Sequence, residues 1–218
     1  MSMAAGALAF HRDRRTWTAY LALGLFAYLE PSIGPAMPFL RAELGLGYAA
    51  ASLHFSAFAA GAIVSGFLGE RWAPRLGRTR ALWGGLAGMA LGALLVALSP
   101  AVVGTLLGAL AMGLIGTVSL MANQAVLSDI HGALRTVALT ESNVAATGTA
   151  IFAPLAIGGF AAAGLDWRLG LAVTVPWALL LWWSFRAVRF PPPAATGERH
   201  GQGGGLPLAF WMLWVVLF

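Results

Sequence analysis

Apolar residues run along this chain in long blocks, not in the short alternations of a soluble sheet or the narrow stripes of a soluble helix. Residues 44–69, 81–128, 142–165 and 169–185 contain no Asp, Glu, Lys or Arg, and a helix needs about 20 such residues to cross a bilayer. The pattern predicts six spans, at residues 16–40, 48–68, 81–98, 101–127, 144–165 and 169–188, and the start of a seventh at residue 206. The block 81–128 as one helix would be about 72 Å long against a hydrocarbon layer of about 30 Å, so it must fold back. Ser99-Pro100 is the natural turn. The alternating strands of a membrane barrel are absent, and only helices or closed barrels satisfy their backbone hydrogen bonds in lipid. The expected fold class is therefore all-α, a polytopic helical membrane protein.

Composition sharpens this reading. Of 218 residues 59% are hydrophobic and 10% are charged, where a soluble domain carries about a quarter charged residues. The absence of cysteine removes disulfides, thiolate nucleophiles and Cys-ligated metals from consideration. All thirteen basic residues are arginine, and eleven of them (Arg12, Arg14, Arg15, Arg71, Arg75, Arg78, Arg80, Arg135, Arg186, Arg189 and Arg199) fall in alternate inter-span segments. Only Arg41 and Arg168 fall in the others. The positive-inside rule then puts the N-terminus in the cytoplasm of what reads as a bacterial inner (plasma) membrane. The net charge of +5 is spread in short groups between apolar spans, which fits membrane-edge anchoring and not a nucleic-acid surface. The chain divides into a cytoplasmic tail (1–15), a six-span unit (16–189), a Pro/Gly-rich cytoplasmic linker (190–205) and the apolar residues 206–218. These last are too short to cross as a helix, which reads as a longer protein cut inside its seventh helix. A half-size protein acting as a dimer is the alternative.

Two connections carry motifs. Between spans two and three the chain reads Gly66-Phe67-Leu68-Gly69-Glu70-Arg71, then Arg75, Gly77, Arg78 and Arg80. Between spans five and six it reads Asp166-Trp167-Arg168, and span five carries Ala153-Pro154 with Gly158-Gly159. The first resembles the G-x-L-x-D-R-x-G-R-R signature of the major facilitator superfamily, with Glu70 in place of Asp and five residues between Arg71 and Gly77. The others resemble that family's G-W-R and G-P-x-x-G-G motifs. The resemblance implies an N-terminal six-helix half built from two inverted three-helix repeats, moving a solute by alternating access. It also implies a cytoplasmic gating role for Gly66, Glu70, Arg71, Arg75, Gly77 and Arg78, and a partner in the missing C-terminal half or a second copy. A carboxylate among four arginines at a helix end can latch a neighbouring helix through charge-assisted pairs; arginines that simply anchor the membrane edge are the plainer reading.

At membrane depth Glu30 stands out, about 20 Å along the helix from Trp17, because a charged side chain there is costly unless it faces water, finds a partner or takes up a proton. Pro31, Pro35 and Pro38 predict that span one is kinked or locally unwound beside it, as at many transporter binding sites. Glu30 reads as a proton carrier or a contact for a cationic solute, or else as a packing carboxyl hydrogen-bonded to another span. His54 lies near enough in depth to approach it as a proton relay, or serves as a hydrogen-bonded structural residue. Asn123 and Gln124 in span four, and Glu141, Asn143 and Thr147 around the start of span five, are expected to face other helices or an aqueous cavity. The resemblance places spans one and four on the central pathway, favouring Glu30 and Asn123. Glycines at 84, 88 and 92, and at 104, 108 and 116, predict close helix contacts.

Enzyme motifs are missing: there is no G-x-S-x-G, H-E-x-x-H, P-loop or G-x-G-x-x-G opening a βαβ unit, and the four histidines are dispersed. No enzyme activity, cofactor or metal is expected. The chain reads as a secondary transporter for a small molecule, coupled to protons, in contact with membrane lipid and not nucleic acid. A six-helix scaffold or receptor without transport is the alternative from another class.

Overall fold

The computed structural model describes residues 10–190, with the backbone alone for residues 70–74. Residues 1–9 of the tail, the linker beyond Phe190 and the seventh helix (206–218) lie outside the described residues, as do the side chains of Glu70 and Arg71. Helix α1 (Arg14–Leu44) begins at Asp13, whose Oδ1 accepts from the Thr16 N–H at 2.8 Å, satisfying a donor that the first turn leaves unbonded. It ends at Gly45, where φ of 62° lets the cap N–H donate to the Arg41 carbonyl, a geometry that favours glycine. There follow α2 (Tyr48–Leu76), α3 (Arg78–Leu98) and α4 (Val102–His131), and a 3₁₀ turn (Gly132–Leu134). The chain continues through α5 (Arg135–Ala150), α6 (Phe152–Ala162), α7 (Leu169–Ala172) and α8 (Thr174–Phe185). No strand occurs among the described residues, and the all-α class is borne out.

Tyr48–Gly69, Arg78–Leu98 and the 61-residue run Val102–Ala162 are long and apolar enough to cross a membrane. The long run doubles back at the 3₁₀ turn. Helix α1 has 31 residues, about 46 Å of helix, and the apolar pair within Leu169–Phe185 completes the bundle. Side-chain contacts fix the directions. His54 meets Thr105 and Gly69 faces Met121, so α2 and α4 run parallel. Tyr20 meets Glu141 and Gly24 faces Thr149, so α1 and α5 run parallel too. Exchanging the first three crossings with the last three maps each of these pairs onto the other, as inverted repeats require. All the described arginines except Arg41 and Arg168 gather at one end, here the arginine-rich end.

Two expectations about helix breaks need correction. Pro31, Pro35 and Pro38 lie inside α1, yet α1 is one continuous helix, held by neighbours at several levels: the Tyr28 hydroxyl donates to the Gly170 carbonyl at 2.6 Å and Phe39 stacks on Trp167. The breaks come instead at Ile151, between α5 and α6, and at Val173, between α7 and α8. In each case a proline three residues on, Pro154 or Pro176, has no N–H for the carbonyl four residues back, at Ala150 or Ala172, and the helix ends there. The signature connection also differs from a loop. Helix α2 continues to Leu76 and α3 starts at Arg78, so the residues separating Arg71 from Gly77 extend α2, and Gly77 with φ of 76° makes the whole turn.

Candidate functional site

A cleft of about 410 Å³ opens between α1, α4 and α5. Four polar side chains converge on it: Glu30 from α1, Gln124 from α4, and Asn143 with Thr147 from α5. Helical spacing explains the convergence. Asn143 and Thr147 are four apart and share a face, as do Leu120 and Gln124, and Leu23, Ala27 and Glu30 form a continuous stripe on α1. Phe26 and Ala146 supply apolar wall. Glu30 is exposed to the cleft and forms no hydrogen bond or ion pair within the described residues. Pro31 and Pro35 leave the carbonyls of Ala27 and Pro31 without their helical donors, and both residues line the same cleft. The site thus offers a carboxylate, two side-chain amides and a hydroxyl.

The residues singled out in the sequence separate in space. Glu30 and Asn143 come together; His54 and Asn123 do not join them. His54 is fully buried between α2 and α4, its Nε2 2.8 Å from Thr105 Oγ1 and its Nδ1 3.1 Å from the Ala50 carbonyl. Its hydrogen bonds are closed locally, which is the structural alternative. Asn123 is buried, does not line the cleft, and neither amide atom has a partner among the described residues. Its neighbour Gln124 lines the cleft instead, because successive residues on a helix point about 100° apart.

Charged pairs stand at both ends of the bundle. At the arginine-rich end Arg78, half-buried, pairs with Asp129 at the end of α4, so this arginine of the signature does join two helices. Gly66 is exposed with open space where a Cβ would lie, and Arg75 is exposed. Nearby, Arg12 clasps Glu141 in a bidentate pair (Nε to Oε2 2.9 Å, Nη2 to Oε1 2.5 Å) and the Tyr20 hydroxyl donates to the same carboxylate at 3.1 Å. The Arg12 bond holds Glu141 below its ordinary pKa. Burial holds His131, 2.9 Å from Thr16 Oγ1, below its own.

At the opposite end the Asp166-Trp167-Arg168 turn is a three-way clamp. Arg168 pairs with Glu43 at the end of α1, and its Nε donates to the Ala97 carbonyl at the end of α3, 2.5 Å away. The buried Trp167 donates from Nε1 to Glu43 Oε1 at 2.7 Å, and Asp166 Oδ1 accepts from the Arg168 N–H at 2.9 Å. Arg168 lowers the pKa of Glu43, and Glu43 raises that of Arg168. Sequence reasoning missed Glu43, Asp129 and Arg12 as partners. The one available signal was that Asp129 is the only carboxylate between Arg71 and Thr140, flanked on both sides by arginine-bearing segments.

A helical bundle with three runs long and apolar enough to cross a bilayer has the make-up of an integral membrane protein. The sequence profile of the Major Facilitator Superfamily matches residues 16–218; the chain belongs to this superfamily and is a membrane transporter. No curated protein matches the sequence.

Proposed function

We propose that the chain is the N-terminal unit of a proton-coupled secondary transporter that moves a small polar or cationic solute by alternating access. The observation that supports this most is the placement of Glu30: an acidic side chain on an apolar helix, unpaired among the described residues, beside Gln124, Asn143 and Thr147 in an open cleft. An intramembrane carboxyl that other helices do not satisfy is available to bind a proton or a cation, and the cost of leaving it there is met when it does so. The unit rocks against a second six-helix half or a second copy, so that the cleft meets opposite compartments in turn. In this reading the arginine-rich end is cytoplasmic, because it carries nearly all the basic residues, and the membrane is a bacterial inner membrane. The signature residues Gly66, Glu70, Arg71, Arg75, Gly77 and Arg78 form the cytoplasmic gate, with the Arg78–Asp129 pair as the part whose contacts are described.

The test is transport by the purified protein in proteoliposomes. Glu30→Gln is expected to abolish accumulation driven by a pH gradient while solute exchange across the membrane continues at close to the original rate. Undiminished uphill accumulation in that variant removes the proposal, since the cleft would then have no coupling group.

A further inference from the structure

A second groove, of about 440 Å³, lies on another side of the bundle between α3 and α8, floored by Leu25 and walled by Trp83, Ala87, Ala178, Leu179 and Trp182. It is apolar along its length and opens sideways at the membrane-facing surface, where Leu179 and Trp182 are exposed. Its two walls are built alike. On α3, Arg80, Trp83, Gly84 and Ala87 follow at i, i+3, i+4 and i+7; on α8 and its C-terminal cap, which keeps helical dihedrals, Leu179, Trp182 and Arg186 follow at i, i+3 and i+7. Both series lie on single helix faces. In each, an arginine stands about one turn beyond a tryptophan, toward the arginine-rich end, and both arginines are exposed. The Arg186 guanidinium lies over the Trp183 ring at 3.9 Å and 5.8 Å from the Trp182 ring. Arg14 joins the same edge, its Nη2 3.4 Å from the Ser184 carbonyl. Among the described residues, neither Arg80 nor Arg186 is in an ion pair.

We propose that this groove is a binding site for one anionic phospholipid of the leaflet at the arginine-rich end, its phosphate between Arg80 and Arg186 and one acyl chain in the groove beneath the tryptophans. Charge and size select this occupant. Arginines at a membrane edge draw anionic headgroups, and their planar forks match phosphate oxygens; tryptophans belong at headgroup depth. A second helix does not fit the space. With a diameter of about 10–12 Å, a helix fills a cavity of this volume in roughly one turn, whereas a flexible chain follows it lengthwise. The site is separate from the Glu30 cleft, so its existence does not depend on the coupling ion.

Native mass spectrometry of the full chain, titrated with dioleoylphosphatidylglycerol and with dioleoylphosphatidylcholine, tests it. The expected result is one retained phosphatidylglycerol, bound about tenfold more tightly than phosphatidylcholine, and not displaced by excess inorganic phosphate. The double variant Arg80→Gln/Arg186→Gln is expected to remove the preference. Gly84→Leu, at a position with open space where the Cβ would lie, fills the groove without touching the charges and is expected to weaken both lipids. Equal retention of the two lipids by the unaltered chain, an undiminished preference in the double variant, or displacement by phosphate alone overturns the site. Because the chain has no cysteine, Leu179→Cys supplies a further check. A disulfide between two copies in the membrane would give the groove to a second protein molecule and overturn the lipid assignment.

Discussion

Helix α4 meets two kinds of surface. Toward α2 and α3 it is packed backbone to backbone through glycine: a Cβ at Gly92 would lie 2.8 Å from the Gly108 carbonyl oxygen, one at Gly108 would lie 2.7 Å from that of Gly92, and one at Gly113 would collide with Phe58. Toward α1 and α5 the same helix borders a cleft whose polar groups are left open. Lipid gives helices no hydrophobic reason to associate, so close approach of backbones is what fixes α2, α3 and α4 as one unit. The opposite side of α4 forgoes that contact. Close packing and the open cleft therefore lie on different faces of one helix.

The largest expected effect breaks the rigid side. Gly92→Ala forces a methyl against the Gly108 carbonyl and the Met112 backbone, and overpacking against main chain costs about 3 kcal/mol. Gly148→Ala, on α5 where nothing lies within 4 Å of the added Cβ, is expected to be neutral or to stabilise by about 0.5 kcal/mol through helix propensity. Thermal unfolding of both variants in the same detergent measures the difference. Equal midpoints would mean that the glycine contact does not hold the bundle.

The contrast between the two faces was only half visible in the sequence. Charge-free blocks located every crossing but the first, which carries Glu30 and shows only as an apolar run, since the energy of placing charge in lipid leaves a mark in composition alone. Gly88, Gly92, Gly108 and Gly116 do meet facing helices, as their spacing suggested, but Gly84 faces the α3/α8 groove and Gly104 only the Ser99 side chain. Gly61, Gly85 and Gly113, which make some of the closest approaches, fall outside those two series. What composition leaves out is rotation about each helix axis. Asn123 and Gln124 are adjacent, equally polar and equally deep, and only the docking of α4 against α1 and α5 decides that Gln124 reaches the cleft. Prolines mislead for a related reason: identical chemistry ends α5 before Pro154 but leaves α1 continuous through three prolines, because tertiary contacts along α1 hold it helical. The Glu43–Arg168 pair joins residues 125 apart in the chain, beyond the reach of any local pattern.

That pair permits a smaller test, at the end of the bundle where the two faces are tied together. Glu43→Gln keeps the bond from Trp167 but removes the charge that Arg168 grips. The pair is partly exposed, so a cost of about 1 kcal/mol or less is expected at neutral pH. Because the folded state lowers the Glu43 pKa from its ordinary 4.5, its contribution is complete above about pH 4.5 and is lost as pH falls through the lower folded value. The gap between the unaltered protein and Glu43→Gln is therefore expected to close on acidification. Glu141, lowered by Arg12, loses its contribution in the same direction in both proteins and cancels from the comparison. A gap that stays constant down to pH 3 would show that the charge contributes nothing and that the tryptophan bond and packing hold the clamp.

The smallest effect concerns Asn123, which is buried off the cleft although its chemistry suits the cleft. A buried amide with neither atom partnered costs about 1–3 kcal/mol, while an apolar side chain of similar size at the same place leaves nothing unsatisfied. Asn123→Leu is accordingly expected to leave the stability unchanged or raise it by about 1 kcal/mol, read as an unfolding midpoint that does not fall. Solute accumulation is expected to stay close to that of the unaltered protein, in contrast to Glu30→Gln. The comparison works because the two positions differ in their surroundings: Asn123 is buried away from the cleft and Glu30 is exposed to it. A variant that unfolds normally yet no longer transports would place Asn123 in the solute path during the cycle, and α4 would then have to turn about its own axis against the glycine contacts that fix it here.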